Sequence, residues 1–274
     1  MSIHTPQKRI SIPDLRAMKG KSKIVMLTAY TKPMAQLLDP HCDVLLVGDS
    51  LGMVVYGMEN SLAVTLDMMI NHTKAVIRGS SRCAVVLDMP FGTYQESNEQ
   101  AYRNCAQATA ESGAQALKLE GGEELVETVE FLTRRGIQVI AHIGLMSQRV
   151  HEMGGFKAQG KEDDAILKWP KLARQFEDAG AFSVLIEGTV EPVARAITES
   201  LKVPTIGIGA SPACDGQVLV TEDILGLFPD FTPKFAKRYR DIGGIVSEAA
   251  AEYAGEVRGG GFPLLEHCFG VKKA

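Results

Sequence analysis

The segment from Ala116 to His142 reads ALKLEGGEELVETVEFLTRRGIQVIAH and contains two kinds of pattern. It opens with a short apolar run, Ala116–Leu119, and closes with a second one, Gln138–Ala141. Neither run alternates between apolar and polar residues as a half-exposed strand does. A run without this alternation is typical of a strand that is buried on both faces. Between the runs, an apolar stripe at helical spacing predicts a helix that ends at Gly136. The stripe consists of Leu125, Val126, Val129 and Leu132.

The same alternation of strand and helix continues on both sides of this segment. Helical patterns lie between most of the strands; one of them starts at a predicted capping box of Ser97 and Gln100 and ends at Gly113. Strands that alternate with helices form a parallel sheet, and eight of them favour a closed (β/α)8 barrel of the α/β class. The six further strands are predicted at Ile24–Thr28, Val44–Val47, Ala84–Leu87, Ser183–Ile186, Thr205–Ile208 and Val218–Val220.

One connection fits a barrel less well than the others. The gap from Ile208 to Val218 is too short for a crossover helix with its loops, which normally needs about ten to twelve residues or more. A doubly wound open sheet therefore remains the structural alternative.

Length and composition fit a single globular domain. The chain has 274 residues, which suits one barrel of about 250 residues, so we predict one domain spanning 1–274. The net charge is only -4 and no polybasic run occurs, which argues against a nucleic-acid partner. Because no run of about 18 uncharged apolar residues is present, no helix is expected to span a membrane.

The N-terminal segment and the cysteines predict a cytoplasmic protein. Met1–Lys23 is polar and lacks the apolar core of a secretory signal. The five cysteines are scattered without CxxC spacing, so we interpret them as packed thiols in a reducing compartment.

Polar side chains follow five of the predicted strands, and the carboxyl ends of barrel strands carry the catalytic groups of such enzymes. Each of these residues alone has a structural explanation, since an acid there is often a turn former or helix cap. Packed together, bare carboxylates repel, and one would hold its proton unless a divalent cation were present. All-oxygen ligation favours Mg2+ over zinc. The five residues are Asp49, Asp88, Glu120, His142 and Glu187.

Two further side chains extend this candidate site. Lys118 lies two residues before Glu120 and so projects to the same side of its strand. A buried lysine needs an anionic partner, either a substrate carboxylate or a neighbouring acid. Ser50 either offers its hydroxyl to a ligand or caps a helix, and His142 is either catalytic or a hydrogen-bonded structural residue.

The chain contains two notable glycine-rich segments. Residues 207–211 (GIGAS) lack the third glycine and the following helix of a dinucleotide fingerprint, so we reject that function. The polar, glycine-rich segment from Gly144 to Lys161 is interpreted as a mobile lid over the barrel mouth, with an ordinary loop as the alternative.

An apolar repeat after Pro233 predicts a final helix. Its apolar side could pack on the barrel or contact another subunit, and the sequence leaves both possibilities open. The repeat consists of Phe235, Tyr239, Ile242, Val246, Ala249 and Tyr253.

Several motifs, spread over nearly the whole chain, resemble those of the ketopantoate hydroxymethyltransferase family. The resemblance implies a TIM barrel of the phosphoenolpyruvate/pyruvate type, Mg2+, and a large homo-oligomer, typically a decamer. It also implies transfer of a hydroxymethyl group from 5,10-methylenetetrahydrofolate to 3-methyl-2-oxobutanoate, giving 2-dehydropantoate. The motifs are VGDSLGMV (47–54), VTLD (64–67), DMPFG (88–92), YQ (94–95), KLEGG (118–122), HIGL (142–145), QGK (159–161), IGIG (206–209) and CDGQVLV (214–220).

The resemblance also implies roles for individual residues. Asp49, Asp88 and Glu120 would hold the metal, and Glu187 would be the proton acceptor. The 2-oxo acid would be bound by Asp49, Ser50, Asp88, Lys118 and His142. The chain departs from the expected pattern at Ala63, Ser211 and Cys268, none of which is a proposed ligand.

Two other functions remain open from the sequence. The first is another metal-dependent 2-oxo acid lyase or mutase barrel, which would need no folate. The second is a non-catalytic barrel that serves as a binding or assembly protein, in which the acids would be caps and Mg2+ would not bind.

Overall fold

The computed structural model describes residues 8–155, 157–228 and 233–270. Eight parallel strands pair in sequence order, and the first also pairs with the last, so the sheet is a closed barrel. This confirms the predicted barrel and excludes the open sheet. The strands are β1 (Ile24–Thr28), β2 (Val44–Val47), β3 (Ala84–Asp88), β4 (Ala116–Glu120), β5 (Val139–Gly144), β6 (Ser183–Glu187), β7 (Thr205–Ile208) and β8 (Gly216–Leu219).

Helices connect most of these strands, as the sequence predicts. Their bounds are α1 (Ile12–Ala17), α2 (Lys32–Leu38), α3 (Leu51–Val54), α4 (Leu66–Gly79), α5 (Asn98–Ser112), α6 (Val126–Thr133), α7 (Val150–Met153), α8 (Ala165–Asp178), α9 (Glu191–Ser200), α10 (Thr221–Leu225) and α11 (Ile242–Gly259).

The connection between β7 and β8 contains no helix, and the short strands explain why none is needed. Each of the two strands has four residues and is therefore about 13 Å long. The loop of residues 209–215 can span up to about 25 Å when extended, enough to return to the start of the next strand. Gln217 and Lys23 hold this loop by hydrogen bonds to the carbonyls of Ser211 and Cys214.

Side-chain alternation along the strands divides the core into two clusters. Residues such as Leu87 and Leu119 pack with the surrounding helices in the larger cluster. Residues at the alternate strand positions, such as Val86, Ala116 and Ile140, form the smaller cluster, together with Ile12 and other apolar residues of α1 and the strands. Two residues after these three positions, and therefore on the same inner face of the barrel but closer to the carboxyl ends of the strands, lie Asp88, Lys118 and His142. The lumen is therefore apolar in its lower part and polar in its upper part.

The predicted capping box of α5 is only half present. The Ser97 hydroxyl accepts a hydrogen bond from the Gln100 backbone N–H at 3.1 Å, as expected. The Gln100 side chain, however, accepts from the N–H of Glu96 and donates to the carbonyl of Gly92, so it ties the helix to the preceding loop. Gly113 ends the helix in the left-handed conformation, as predicted.

The chain divides after Val220 into two compact units. The second unit contains α10 and α11, and none of the α11 side chains is buried. Apolar residues of α11 are exposed, among them Val246 and Tyr253 at 57% and 58%. No helix within the described part of the chain is long and apolar enough to cross a membrane.

Candidate active site at the barrel mouth

The barrel register brings the predicted polar residues side by side. Asp88 pairs in register with Lys118, and Glu120 pairs with His142 across the next two strands. Glu187 ends the following strand, where it lies beside Gly144. Adjacent parallel strands thus place these side chains in one layer at the carboxyl end of the barrel.

Lys118 is the cationic centre of this layer. Its ammonium nitrogen lies 2.8 Å from Asp88 Oδ1, 3.1 Å from His142 Nδ1 and 3.9 Å from Glu120 Oε2. Burial alone would lower the pKa of Lys118, but the carboxylates of Asp88, Glu120 and Asp49 raise it above its ordinary value. Of the two partners left open by the sequence, the neighbouring acid is present in the structure.

His142 lies between two of the carboxylates and is almost fully buried. Its Nδ1 atom is 3.3 Å from Glu120 Oε2, and its Nε2 atom is 3.5 Å from Glu187 Oε2. The Nε2 atom has no hydrogen-bond partner among the described residues. The imidazole therefore connects the buried acid of β4 with the more exposed acid of β6.

The acidic side chains outnumber the basic ones in this buried space. Burial raises the pKa of Asp49, and the charge of Glu120 adds to this, while Lys118 and Gln148 oppose it. Burial also raises the pKa of Asp88 well above its usual range despite the nearby Lys118. Glu120 has a lowered pKa, because His142, Lys118 and the Gln148 N–H together outweigh burial. The two aspartates therefore hold their protons more tightly than free aspartates do.

Glu187 is the most exposed acid of the layer, with 27% of its side chain accessible. Burial raises its pKa, and the nearby His142 and Lys118 oppose the rise. Gly144 fits against this position because its φ is 104° and an added Cβ would overlap the Glu187 carbonyl oxygen. The glycine thus allows β5 to approach β6 closely where Glu187 enters the mouth.

Ser50 does not cap a helix with its side chain. It occupies the N-cap position of α3 but makes no side-chain capping bond. Its hydroxyl instead lies 2.9 Å from the Tyr30 hydroxyl. The neighbouring Asp49 donates its backbone N–H to Asp88 Oδ2 at 3.2 Å, which joins the ends of β2 and β3.

The donor chemistry of this layer suits a hard divalent cation. Asp88 Oδ1 is buried and accepts no well-aligned hydrogen bond, although Lys118 is close to it. A cation would relieve the raised pKa values of Asp49 and Asp88. Within residues 8–155, 157–228 and 233–270, however, no three acidic, histidine or cysteine side chains are grouped as a metal site. Oxygen ligation by carboxylates, with water in the remaining positions, is the usual way in which proteins bind Mg2+.

Gln148 and Tyr94 belong to this site, although the sequence did not identify them as site residues. Gln148 donates to Asp49 Oδ2 at 3.0 Å, and its backbone N–H donates to Glu120 Oε1 at 2.8 Å. The Tyr94 hydroxyl lies 2.9 Å from Gln148 Oε1 and also contacts the backbone of Glu120. Both residues lie in loops rather than at strand ends, so strand alternation gives no signal for them.

The predicted lid contains Gln148 and is partly helical. A 3-10 turn, Ser147–Arg149, leads into the short helix α7, and Gln159 forms a parallel bridge with Thr189. Phe156 lies outside the described residues. The mobility of this segment stays a prediction.

Comparison with known proteins gives consistent matches. The model of the family described as ketopantoate hydroxymethyltransferase matches residues 9–264. The 3-methyl-2-oxobutanoate hydroxymethyltransferase of Paramagnetospirillum magneticum is 62% identical over 273 residues, covering 100% of both chains. The enzyme of the same name from Agrobacterium fabrum is 58% identical, over 100% of this chain and 98% of its own.

Solved structures with lower sequence similarity share the fold. A phosphonopyruvate hydrolase in complex with oxalate and Mg2+ has a TM-score of 0.61 at 14% identity, covering 96% of this chain and 92% of its own. A 2,3-dimethylmalate lyase of the PEP mutase/isocitrate lyase superfamily has a TM-score of 0.57 at 19% identity, covering 96% and 90%. These similarities show that the chain shares the fold of these proteins.

Proposed function

Since the chain belongs to the ketopantoate hydroxymethyltransferase family and transfers a hydroxymethyl group to 3-methyl-2-oxobutanoate, we propose that the polar layer at its barrel mouth catalyses this transfer. The reaction is a step of pantothenate biosynthesis. The observation that carries the proposal is the convergence of four carboxylates around Lys118 and His142 at one end of the lumen.

We propose that Asp49, Asp88 and Glu120 hold a divalent cation, with Mg2+ as the ion. The raised pKa values of the two aspartates support this, as does the all-oxygen donor set. When bound, the ion supplies a Lewis acid that stabilises negative charge on the ketone oxygen of the oxo acid.

The substrate carboxylate needs a cationic or hydrogen-bonding partner inside the mouth. Lys118 provides a charge that is fixed by its raised pKa, and Ser50 provides a hydroxyl already oriented by Tyr30. Asp49, Asp88 and His142 line the same space and complete the substrate contacts. Lys118 then shares its charge between Asp88 and the substrate, which orients the oxo acid relative to Glu187.

Glu187 is the proposed proton acceptor. Its carboxylate is partly desolvated, and its raised pKa makes it a stronger base than a free glutamate. The C3–H bond of the oxo acid breaks, the proton moves to Glu187, and the electron pair forms the enolate. The enolate carbon bonds to the methylene carbon of the donor, and both C–N bonds of that carbon break. The two nitrogens of the released tetrahydrofolate take up protons, one from Glu187 and one from water, and the remaining hydroxide of that water becomes the new hydroxyl group.

We propose 5,10-methylenetetrahydrofolate as the one-carbon donor. The support is the family resemblance, because the reaction needs a carrier of carbon at the oxidation state of formaldehyde. A lyase or mutase of the same fold would require no such donor.

Product formation with and without metal tests the proposed function. The purified chain is incubated with 3-methyl-2-oxobutanoate and 5,10-methylenetetrahydrofolate, once with Mg2+ and once with excess EDTA. We expect 2-dehydropantoate only with Mg2+, and restoration of activity when Mg2+ is added back. Turnover of an oxo acid without the folate would instead favour a lyase or mutase, and unchanged turnover in EDTA would contradict the metal site.

We also propose that the chain forms a homo-oligomer, a decamer in the family, through the apolar side of α11. The exposure of Val246 and Tyr253 supports this, because large apolar groups in one stripe are usually covered by a partner.

Light scattering coupled to gel filtration tests the assembly. We expect the unsubstituted protein to have about ten times the chain mass of 29.6 kDa. Val246→Glu should shift the mass to smaller species, because it places a charge in the apolar stripe. Ser247→Glu is the matched control, since it adds the same charge about 120° around the helix from the stripe. A monomeric unsubstituted protein would contradict the proposal.

A cytoplasmic location is proposed as well. Its support is the state of the five cysteines, all of them free and four of them buried, as is usual in a reducing compartment. Recovery of the protein in the cytosolic fraction of its source cells would be the direct check.

A further inference from the structure

Gln148 is the residue outside the predicted site with the most direct connections to it. Only 4% of the residue is exposed, and it lies in the 3-10 turn Ser147–Arg149, beyond the end of β5. Its side chain and its backbone together contact two of the three proposed cation ligands, Asp49 and Glu120. Gln148 belongs to no β-strand or α-helix, so its position is set by these contacts and by the path of the chain after β5.

The side-chain amide of Gln148 is saturated with hydrogen bonds. Its Nε2 atom faces two acceptors, Asp49 Oδ2 at 3.0 Å and the Met89 carbonyl at 2.9 Å. Its Oε1 atom faces two donors, the Tyr94 hydroxyl at 2.9 Å and Gln95 Nε2 at 3.3 Å. An amide has two hydrogens and one carbonyl oxygen, so only this orientation satisfies all four partners.

These bonds fix the two carboxylates relative to each other. Asp49 follows β2 and Glu120 ends β4, so the strand β3 separates the elements that carry them. Gln148 reaches Asp49 with its side chain and Glu120 with its backbone N–H. Tyr94 braces the arrangement, because its hydroxyl contacts both Gln148 Oε1 and the backbone of Glu120.

We infer that Gln148 is a positioning residue that holds Asp49 and Glu120 in the arrangement required to bind a divalent cation. The inference rests on the proposed function, since it takes those two carboxylates as cation ligands. Outer partners of this kind orient the ligands, and their loss typically costs about 10- to 100-fold in metal affinity or activity. The 3-10 turn Ser147–Arg149 thereby becomes part of the cation site through one buried amide.

The test measures Mg2+ affinity by calorimetry on the full chain, without substrate. Gln148→Met keeps the length and volume of the side chain but removes both amide donors and the acceptor. We expect its Kd for Mg2+ to rise by about 10- to 100-fold, and turnover to recover partly as the Mg2+ concentration is raised. The backbone N–H to Glu120 is retained in this variant, so the change reports on the side chain.

Gln115→Met is the matched control. Gln115 is a partly buried glutamine that also makes long-range hydrogen bonds, with the Val85 N–H and the Ile10 carbonyl, but it touches no acid of the site. Both variants should lower the melting temperature, whereas only Gln148→Met should weaken Mg2+ binding. Equal Mg2+ affinity in the two folded variants would overturn the inference.

A second variant keeps the test decisive if Gln148→Met does not fold. Tyr94→Phe retains the buried ring and removes the hydroxyl that braces Gln148 and Glu120. It should weaken Mg2+ binding in the same direction, and unchanged affinity would overturn the inference. If Asp49→Asn binds Mg2+ weakly while Gln148→Met binds it normally, the inference about Gln148 is overturned and the proposed cation site is retained. An unsubstituted chain without Mg2+ affinity would overturn the cation site of the proposed function as well.

Discussion

Asp49→Ala is expected to abolish Mg2+-dependent turnover while leaving the barrel folded. The loss should be about 1,000-fold or more, because a Lewis acid contributes several kcal/mol and each 1.36 kcal/mol corresponds to a factor of ten. The fold should persist because Asp49 lies beyond the end of β2, and its raised pKa shows that burial already disfavours its charge. The measurement is product formation over a range of Mg2+ concentrations, together with circular dichroism and the melting temperature.

Asp178→Ala provides the matched control for this prediction. Asp178 is exposed at the end of α8, which leads into the amino-terminal end of β6, opposite the barrel mouth, so its removal should leave turnover unchanged. Undiminished activity in folded Asp49→Ala would remove this residue from the cation site. A loss of turnover that no Mg2+ concentration restores, in a folded variant, would agree with the assignment.

Glu187→Gln is expected to bind the oxo acid normally but to lose proton exchange at C3. The amide keeps the shape of the side chain yet cannot accept the proton, and a general base typically contributes about 100- to 10,000-fold. The exchange is followed by NMR as loss of the C3 proton signal of 3-methyl-2-oxobutanoate in D2O with Mg2+ and without folate. Binding is measured separately by calorimetry.

Glu191→Gln is the control for Glu187→Gln, since Glu191 is partly exposed at the start of α9 and contacts Arg195 and Ser211 rather than the polar layer. Retained exchange in Glu187→Gln would remove Glu187 as the base.

The pH dependence of the exchange gives a second check on Glu187. Burial raises the pKa of Glu187 above its ordinary 4.5, and exchange needs the ionised form. Activity should therefore fall on acidification at a higher pH than for an unperturbed glutamate.

Strand alternation explains why most of the site was predictable from the sequence. Asp88, Lys118 and Glu120 lie at or near the ends of apolar runs, and the closed barrel turns each such position into a neighbour of the next. His142 and Glu187 follow the same rule on the next two strands. Only the structure shows that Lys118 contacts a neighbouring acid, because the sequence left both a substrate carboxylate and a neighbouring acid open as its partner.

Other features depend on how loops fold and could not be predicted from local patterns. Gln148 follows β5 in a loop, and its contacts with Asp49 arise from residues far apart in sequence. The helix-free return from β7 to β8 is shorter than an ordinary crossover connection, and only the shortness of these two strands makes it possible. At α5, Gln100 satisfies the N–H of Glu96 rather than that of Ser97, a difference of one residue.

The two-part lumen has a consequence for how such a protein can change over evolutionary time. The apolar positions, such as Val86 and Ile140, keep the barrel closed, whereas the polar positions two residues further along the same strands carry the charges. Substitutions in the upper layer therefore alter reactivity without removing the contacts that specify the architecture. A barrel of this kind can acquire a new reaction by substitution of a few residues at its mouth, because the intermediate variants keep the apolar contacts that hold the barrel closed.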